Sequence, residues 1–356
     1  MAFGDRLRLA RSRAGLSLAA LSDKLDPRVS PQALNKYERG EMMPSSSVLM
    51  ALSRALGVSL DFLMNSQVVA LDGVEFRKEA HATERDRSHV EAEVIDHVER
   101  YLAVEEILQL GENASALDKL TQVAIDDLEE AEEQAVLLRK AWNLGNDPIP
   151  SITALLEERN VRVLEIEGPD SFYGLTCRVR RPNNRPPITV IVRRHVNVER
   201  NRFTLAHEIA HVLISDCKSA KVEKAMDRFA AAFLIPADHL RNEIGASRTH
   251  FAYRELVRLK HLYGVSMMAL FYRLKDINVI SDDGLKAIFK TPARAWLKEE
   301  PDPLDPEGEI AALERPQRFE SYVYRALAEG LISSFKGATL LRKPVEDVEL
   351  AVRGPR

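Results

Sequence analysis

The residues best placed to do chemistry lie in Phe203-Thr204-Leu205-Ala206-His207-Glu208-Ile209-Ala210-His211-Val212-Leu213-Ile214. The stretch reads as a helix, which turns once in about 3.6 residues. His207 and His211 are four apart, so their imidazoles leave the same face. Two nitrogens presented together can hold one divalent cation. Glu208, one position on, stands where a carboxylate could take a proton from water at such a site. Phe203, Leu205, Ile209, Val212 and Leu213 are apolar, so this helix is expected to be buried, with the polar trio as the exception. A lone buried His is usually a hydrogen-bonded core residue; the full His-Glu-x-x-His spacing, with its own mechanism, outweighs that plain reading.

A catalytic site of this kind wants a third protein ligand and one open position. Glu223, twelve residues after His211, is the candidate. It lies in Glu223-Lys224-Ala225-Met226-Asp227-Arg228-Phe229-Ala230, on a second core helix expected over about 219–234. Asp227 shares its face and could accept the second ring N–H of a ligand His, fixing its tautomer. The plain alternative makes both acids surface partners of Lys and Arg. Cys177 and Cys217 are the chain's two cysteines. They do not form a disulfide framework, and Cys217 is a weaker candidate ligand. His239, Tyr253 and Tyr173 could donate to a developing oxyanion, although a structural role is the simpler reading of each.

These residues need elements to position them. Val161–Ile166, Tyr173–Val179 and Ile188–Val192 read as strands from their β-branched content. They precede the two core helices, which makes an α+β arrangement over 148–290. The chain has 356 residues, enough for two or three domains. Its net charge of -4 gives no global argument for nucleic acid or membrane. No stretch has the length of a membrane span or the apolar core of a signal peptide, so a cytoplasmic protein is expected.

Residues 1–65 show helical spacing of apolar positions, with breaks at Gly15, Asp26-Pro27, Gly40 and Gly57. Five helices are expected, over about 3–13, 17–25, 30–39, 45–56 and 59–64. Ser17, Ser30, Ser45 and Ser59 stand at the N-cap positions. The second and third helices are joined by a short turn, in helix-turn-helix fashion. On the third, Ser30, Gln32, Ala33, Asn35 and Lys36 face outward and suit base edges and phosphates. Nine basic and six acidic residues make this segment +3 within an acidic chain.

The order of Gly15-Leu16-Ser17, Ser30 to Gly40 and Pro44 with Leu49, Leu52 and Leu56 resembles the Cro/C1-type (XRE) helix-turn-helix repressors. A small helical bundle that binds protein is the alternative.

Residues 66–147 are expected to be a charged helical linker, with helices near 83–110 and 114–144 and a short strand at Val74–Lys78. This part could dimerise the chain. The plainer reading of its helices, acidic Asp126–Glu133 included, is a solvated pair joining two domains. Residues 291–356 begin with a Pro-rich, acidic linker to 306 and end in a small helical module.

Arg202-Phe203-Thr204-Leu205-Ala206-His207-Glu208-Ile209-Ala210-His211, followed by Asp227-Arg228-Phe229-Ala230-Ala231-Ala232-Phe233-Leu234-Ile235-Pro236, resembles the ImmA/IrrE family of metallopeptidases. The resemblance implies a zincin-like domain with one divalent metal, zinc or manganese, held by His207, His211 and Glu223, and Glu208 as general base. Many members carry a Glu just before an Ala-Asn step ahead of the Phe-Ala pair. Here Lys224-Ala225-Met226-Asp227 stands instead, so the third ligand rests on Glu223. Some members cleave XRE-type repressors.

The expected protein is therefore multidomain: an all-α helix-turn-helix domain (1–65), the helical linker (66–147), the α+β metallopeptidase domain (148–290), and the linker with its C-terminal module (291–356). Its expected partners are a double-stranded DNA operator and a repressor or toxin-like protein as substrate or partner, with no membrane. A two-fold operator would favour a homodimer. The rival reading is a non-proteolytic repressor or antitoxin-like regulator whose peptidase fold senses metal or a ligand.

Overall fold

The computed structural model describes residues 2–64, 68–72, 83–111, 114–167, 172–183, 185, 187–194, 196–248, 250–288, 290, 292–297 and 299–354. Five helices open the chain: α1 (Phe3–Arg13), α2 (Leu18–Lys24), α3 (Pro31–Glu38), α4 (Ser46–Leu56) and α5 (Leu60–Met64). Their starts follow local chemistry. The Ser17 and Ser30 hydroxyls accept from the backbone N–H of Ala20 and Ala33, and Pro31 occupies the first turn of α3. Ser59 caps α5 through Phe62 N–H. Ser45 stands at the N-cap of α4 but its hydroxyl meets Ser47 instead. α1 and α3 touch backbone to backbone at Gly4, where a Cβ would lie 2.4 Å from the Glu38 carbonyl oxygen.

Beyond the helix-turn-helix come β1 (Ala70–Asp72), α6 (Glu84–Ile107), β2 (Val123–Ile125) and α7 (Leu128–Ala141). The strand expected at Val74–Lys78 lies outside the described residues. The expected pair of solvated helices is corrected here. In α6, Val90, Val94, Ile95, Val98 and Tyr101 are at most 1% exposed, and they share one apolar cluster with Leu7, Leu34 and Leu52 of the first five helices. The second expected helix is shorter, and residues ahead of it form β2. Its acidic run has local work to do. Asp127 accepts from Glu130 N–H at the N-cap, and Glu129 and Glu130 lie in the first turn, where the helix dipole favours negative charge.

The chain continues with α8 (Ile152–Glu158), β3 (Arg162–Ile166), β4 (Gly174–Arg180), β5 (Ile188–Arg194), α9 (Val198–Leu213), β6 (Ile214–Cys217), α10 (Val222–Leu234), α11 (Ala237–Ile244), α12 (Tyr253–Tyr263), α13 (Met267–Asp276), α14 (Asp282–Ile288), α15 (Glu309–Leu313), α16 (Arg318–Ala328), α17 (Ser334–Leu341) and α18 (Val345–Arg353). One sheet runs in the order β1-β4-β5-β3, with β1 antiparallel to β4. β2 and β6 pair in parallel as a separate two-stranded sheet.

Two compact units result. Unit 1 holds Met1–Ser115, Leu164–Val192 and Pro316–Arg356; unit 2 holds Ala116–Val163 and Arg193–Arg315. Unit 1 thus joins the helix-turn-helix, α6, most of the four-stranded sheet and the C-terminal helices. The C-terminal helices pack on the far half of α6 through Val104, Leu108, Val323, Ala326 and Leu340.

Unit 2 is built around α9. Its proline-rich segment does not hang free as the expected linker would. Lys260 Nζ, buried, meets Glu300 at 2.9 Å and the carbonyl oxygens of Pro301 and Asp302 at 3.0 and 2.8 Å. Leu304 N–H donates to Glu199 of α9 at 2.8 Å. Glu314, 2% exposed, accepts from Arg202 of α9 and from the Ile152 and Thr153 N–H groups that open α8.

Candidate metal centre

α9 is capped by Asn197, whose side chain accepts from Arg200 N–H. Nearly every residue after the first turn is buried, as the apolar spacing requires. α10 packs along it and brings the acids: Glu223 in its first turn and Asp227 one turn on. His207 Nε2 lies 3.4 Å from Glu223 Oε2, and His211 Nε2 lies 3.8 Å from Glu223 Oε1. One ligand atom from each of the three falls within 4.8 Å of the others. Donors at about 2.1 Å around a tetrahedral ion stand roughly 3.4 Å apart, so this donor set has a chemistry and approximate spacing that suit a divalent metal. The cluster couples a buried edge to an open one: His207 is 3% exposed, whereas the Glu223 side chain is 48% exposed.

His207 Nδ1 lies 2.7 Å from Asp227 Oδ1. An ionised carboxylate can only accept, so a neutral His207 carries its proton on Nδ1 and turns the Nε2 lone pair toward Glu223 and His211. The structure therefore brings His207, His211, Glu223 and Asp227 together. Glu208, 1% exposed, lies beside them on the buried part of α9.

The weaker candidates part company with the cluster. Cys177 and Cys217 are buried and not disulfide-bonded, and neither joins the donor set. His239 Nδ1 pairs with the Tyr263 hydroxyl at 2.7 Å, and burial pushes the Tyr263 pKa up. The Tyr253 ring meets Trp296. Tyr173 belongs to unit 1.

Other residues frame the centre and carry no motif. Gln122 reaches from beside β2 to donate to the carbonyls of His211 and Ile214, at 2.9 and 3.4 Å. It thereby satisfies the open end of α9, where the chain passes directly into β6. Glu132 of α7 accepts from Arg228 of α10 and Arg273 of α13, both at 2.7 Å. Burial would raise the Glu132 pKa, but the two guanidinium groups win and hold it below the usual carboxylate range. Arg139 donates to the carbonyls of Phe233, Gly145 and Asp147; burial lowers its pKa to about 10. Arg202 is wedged against Gly264, where a Cβ would meet Nε at 2.5 Å.

In the helix-turn-helix, Gln32 and Lys36 of α3 are exposed, and Ala33 and Asn35 are half-buried. Ser30 is exposed, with its hydroxyl engaged by Ala33 N–H at 3.2 Å. Leu34 and Tyr37 on the opposite face enter the core. Glu38, buried, binds Arg11 of α1 at 2.5 and 3.0 Å and so fixes α3 against α1. Local pattern does not reveal that pair, because its partners lie 27 residues apart.

Comparison with known proteins matches both regions. The helix-turn-helix family model covers residues 7–63. The peptidase M78 model, described as the IrrE N-terminal-like domain, covers residues 157–275. The SPbeta prophage-derived uncharacterized HTH-type transcriptional regulator YonR of Bacillus subtilis (strain 168) is 37% identical over 70 residues, which are 20% of this chain and 63% of that protein. The chain thus spans less than two thirds of this relative's length. No solved structure matches. Among the described residues no helix is long and apolar enough to cross a membrane. On the motifs, the site and the two matches together, the chain joins an XRE-type helix-turn-helix DNA-binding domain to an ImmA/IrrE-type metallopeptidase-family domain.

Proposed function

We propose that this chain is a cytoplasmic transcriptional regulator that binds a DNA operator and cleaves a regulatory protein with a metal-dependent endopeptidase centre. The reading is carried by one observation: His207, His211 and Glu223 present three donor atoms within 4.8 Å of one another on two packed helices. Bound at these donors, a divalent cation, zinc or manganese, supplies Lewis acidity that acidifies water and polarises a peptide carbonyl. Asp227 holds the His207 tautomer that turns the Nε2 lone pair toward the donor cluster. Glu208 is the base: its carboxylate takes a proton from the attacking water and returns it to the departing amine. Ser30, Gln32, Ala33, Asn35 and Lys36 are the proposed DNA-reading face, and a two-fold operator would be met by a homodimer.

The substrate is a second regulator, a repressor or toxin-like protein. The chain's own segment 291–306 is a poor substrate, because much of it is held by Lys260 and Glu199. Residues 66–85, the other internal possibility, lie largely outside the described part of the chain. The four sequential modules 1–65, 66–147, 148–290 and 291–356 remain our division by function.

Metal analysis of the purified chain tests the ligand set. Wild type and Glu208→Gln should carry about one divalent ion per chain, and His207→Ala should carry none. If His207→Ala keeps its metal, the ligand assignment fails. If Glu208→Gln regulates transcription in cells as wild type does, the peptidase is dispensable and a metal-sensing repressor is the better description.

A further inference from the structure

Where the helix-turn-helix domain meets α6 and the C-terminal helices, unit 1 holds a cavity of about 430 Å³. Small-molecule sites commonly have volumes of about 300–1,000 Å³ and lie where parts of a fold join. Three parts build this wall. Arg13 ends α1, and Val58, Ser59, Asp61 and Phe62 belong to the turn into α5 and to α5 itself. Asp96, Glu99, Arg100 and Ala103 stand on one face of α6, at steps of three and four residues. Lys336, Thr339 and Leu340 come from α17, and Arg342 caps its end. No residue of α3 and none of the metal cluster takes part.

The acceptors of this wall are engaged. Both Glu99 oxygens accept from buried Arg6. Asp96 Oδ2 accepts from Arg100 at 2.8 Å and from Arg342 at 2.6 Å. Glu93, three residues earlier on α6, meets Arg13 at 2.6 Å through one oxygen and Arg342 at 2.9 Å through the other. The Val58 carbonyl takes the Ser53 hydroxyl at 2.6 Å, and the Leu340 carbonyl takes Arg100 Nη1 at 2.5 Å. The donors are less fully spent. Lys336 Nζ meets Asp61 at 3.5 Å, the outer limit of a hydrogen bond, and that carboxylate is 74% exposed. Ser59 accepts from Phe62 N–H at 2.9 Å, which leaves its own O–H to donate. A guanidinium has five N–H groups, and Arg100 uses those of Nε and Nη1 in the two bonds above. Arg6 and Glu93 complete the charge balance: Arg6, Arg13, Arg100, Lys336 and Arg342 stand against Asp61, Glu93, Asp96 and Glu99, an excess of one positive charge among the described residues. Burial pushes the Arg100 pKa down against the pull of Asp96, so this cation is incompletely compensated for its lost water.

We propose that this cavity binds a small anion, a phosphate- or carboxylate-bearing metabolite, through Arg13, Arg100, Lys336 and Ser59. The remaining donors call for an acceptor-rich ligand, and charge-assisted bonds from guanidinium and ammonium groups to such oxygens are the strong ones. A cationic ligand would have to displace a cation already seated on each acid. The anion bridges the helix-turn-helix domain, α6 and α17, so it stabilises unit 1 as its concentration rises. The C-terminal helices thereby gain a role as one wall of a ligand site, whether or not the metal centre cuts protein.

The test is calorimetric titration of the purified full-length chain with inorganic phosphate and, separately, with citrate, at constant ionic strength. At least one probe should saturate at about one site per chain with a Kd of about 1 mM or tighter. Saturation by phosphate alone assigns a phosphoryl ligand, and by citrate alone a carboxylate ligand. Lys336→Gln, at an exposed position, should weaken the binding probe at least about fivefold. Thr339→Trp, also exposed, places a large ring at the cavity and should abolish binding. Circular dichroism of both variants should match wild type; if one departs, the other carries the test. Three controls should bind as wild type does: His207→Ala at the metal centre, Lys36→Ala on α3, and Lys140→Gln on α7. No saturation by either probe up to about 10 mM would overturn the proposal. Binding that folded Lys336→Gln and Thr339→Trp leave unchanged, or that His207→Ala or Lys36→Ala abolishes, would overturn it as well, because the anion would then sit elsewhere.

Discussion

Asp227 shows how much of the centre depends on one acceptor outside the donor trio. At 2.7 Å from His207 Nδ1 it decides which ring nitrogen is left for the cluster. Asp227→Asn should lower metal affinity about 10–100-fold while the fold persists, read by competition with a metal chelator. Unchanged affinity would mean that the tautomer is set elsewhere. Glu208→Gln keeps size and hydrogen bonding but removes the base, so cleavage of the substrate protein should fall by about 10²–10⁴-fold with metal content intact. The closeness of His207 and His211 was readable because His-Glu-x-x-His encodes its geometry in one helical turn. Glu223 and Asp227 were readable only as a spacing on the next helix. Gln122 was not readable at all: it reaches the end of α9 across 89 residues of sequence.

Among the elements, α6 departs furthest from expectation. Its charged sequence suggested a solvated arm, but its apolar residues join the core of the DNA-binding domain, and Glu99 on it pairs with buried Arg6. Burial raises the Glu99 carboxyl pKa despite Arg6. His97, on the same helix, meets the Phe319 ring of α16 at 5.3 Å. Burial first, then the charges of Arg100 and Arg342, lower its pKa from 6.5 to about 3. The unfolded chain therefore binds a proton at His97 that the folded chain refuses. The His97 contribution is fully present above about pH 6.5 and is lost as pH falls toward about 3. The slope is at most about 1.4 kcal/mol per pH unit. Denaturation of His97→Gln beside wild type should show a shallower loss of stability over that window; parallel curves would contradict it.

The chain from Glu300 to Glu314 makes the matching case in unit 2. Pro292 to Pro306 read as a linker and residue 314 as the start of the C-terminal helices, yet Glu300 meets Lys260 and Glu314 meets Arg202, partners that local pattern cannot reveal. Glu314→Ala leaves Arg202 buried without its carboxylate and should cost about 3–5 kcal/mol in unit 2, read from the melting curve. The five N-terminal helices, by contrast, were legible almost to the residue, because serine caps and glycine ends are local signals. The β2–β6 pair was missed for the opposite reason: it joins strands about ninety residues apart.

At the scale of the whole molecule, the chain joins a helix-turn-helix domain to a metallopeptidase-family domain, and its compact units do not follow the sequence order of its domains. The strands expected to open the peptidase domain are mostly built into the unit that holds the helix-turn-helix. The central claim is that the centre cuts a regulatory protein, and new protein N-termini report it most directly. Cells expressing wild type or Glu208→Gln at equal levels should be compared by quantitative N-terminal proteomics. The account predicts a small set of internal N-termini, in DNA-binding or toxin-like proteins, that is present with wild type and absent with Glu208→Gln. Identical N-termini in both, with metal bound in both, would contradict it.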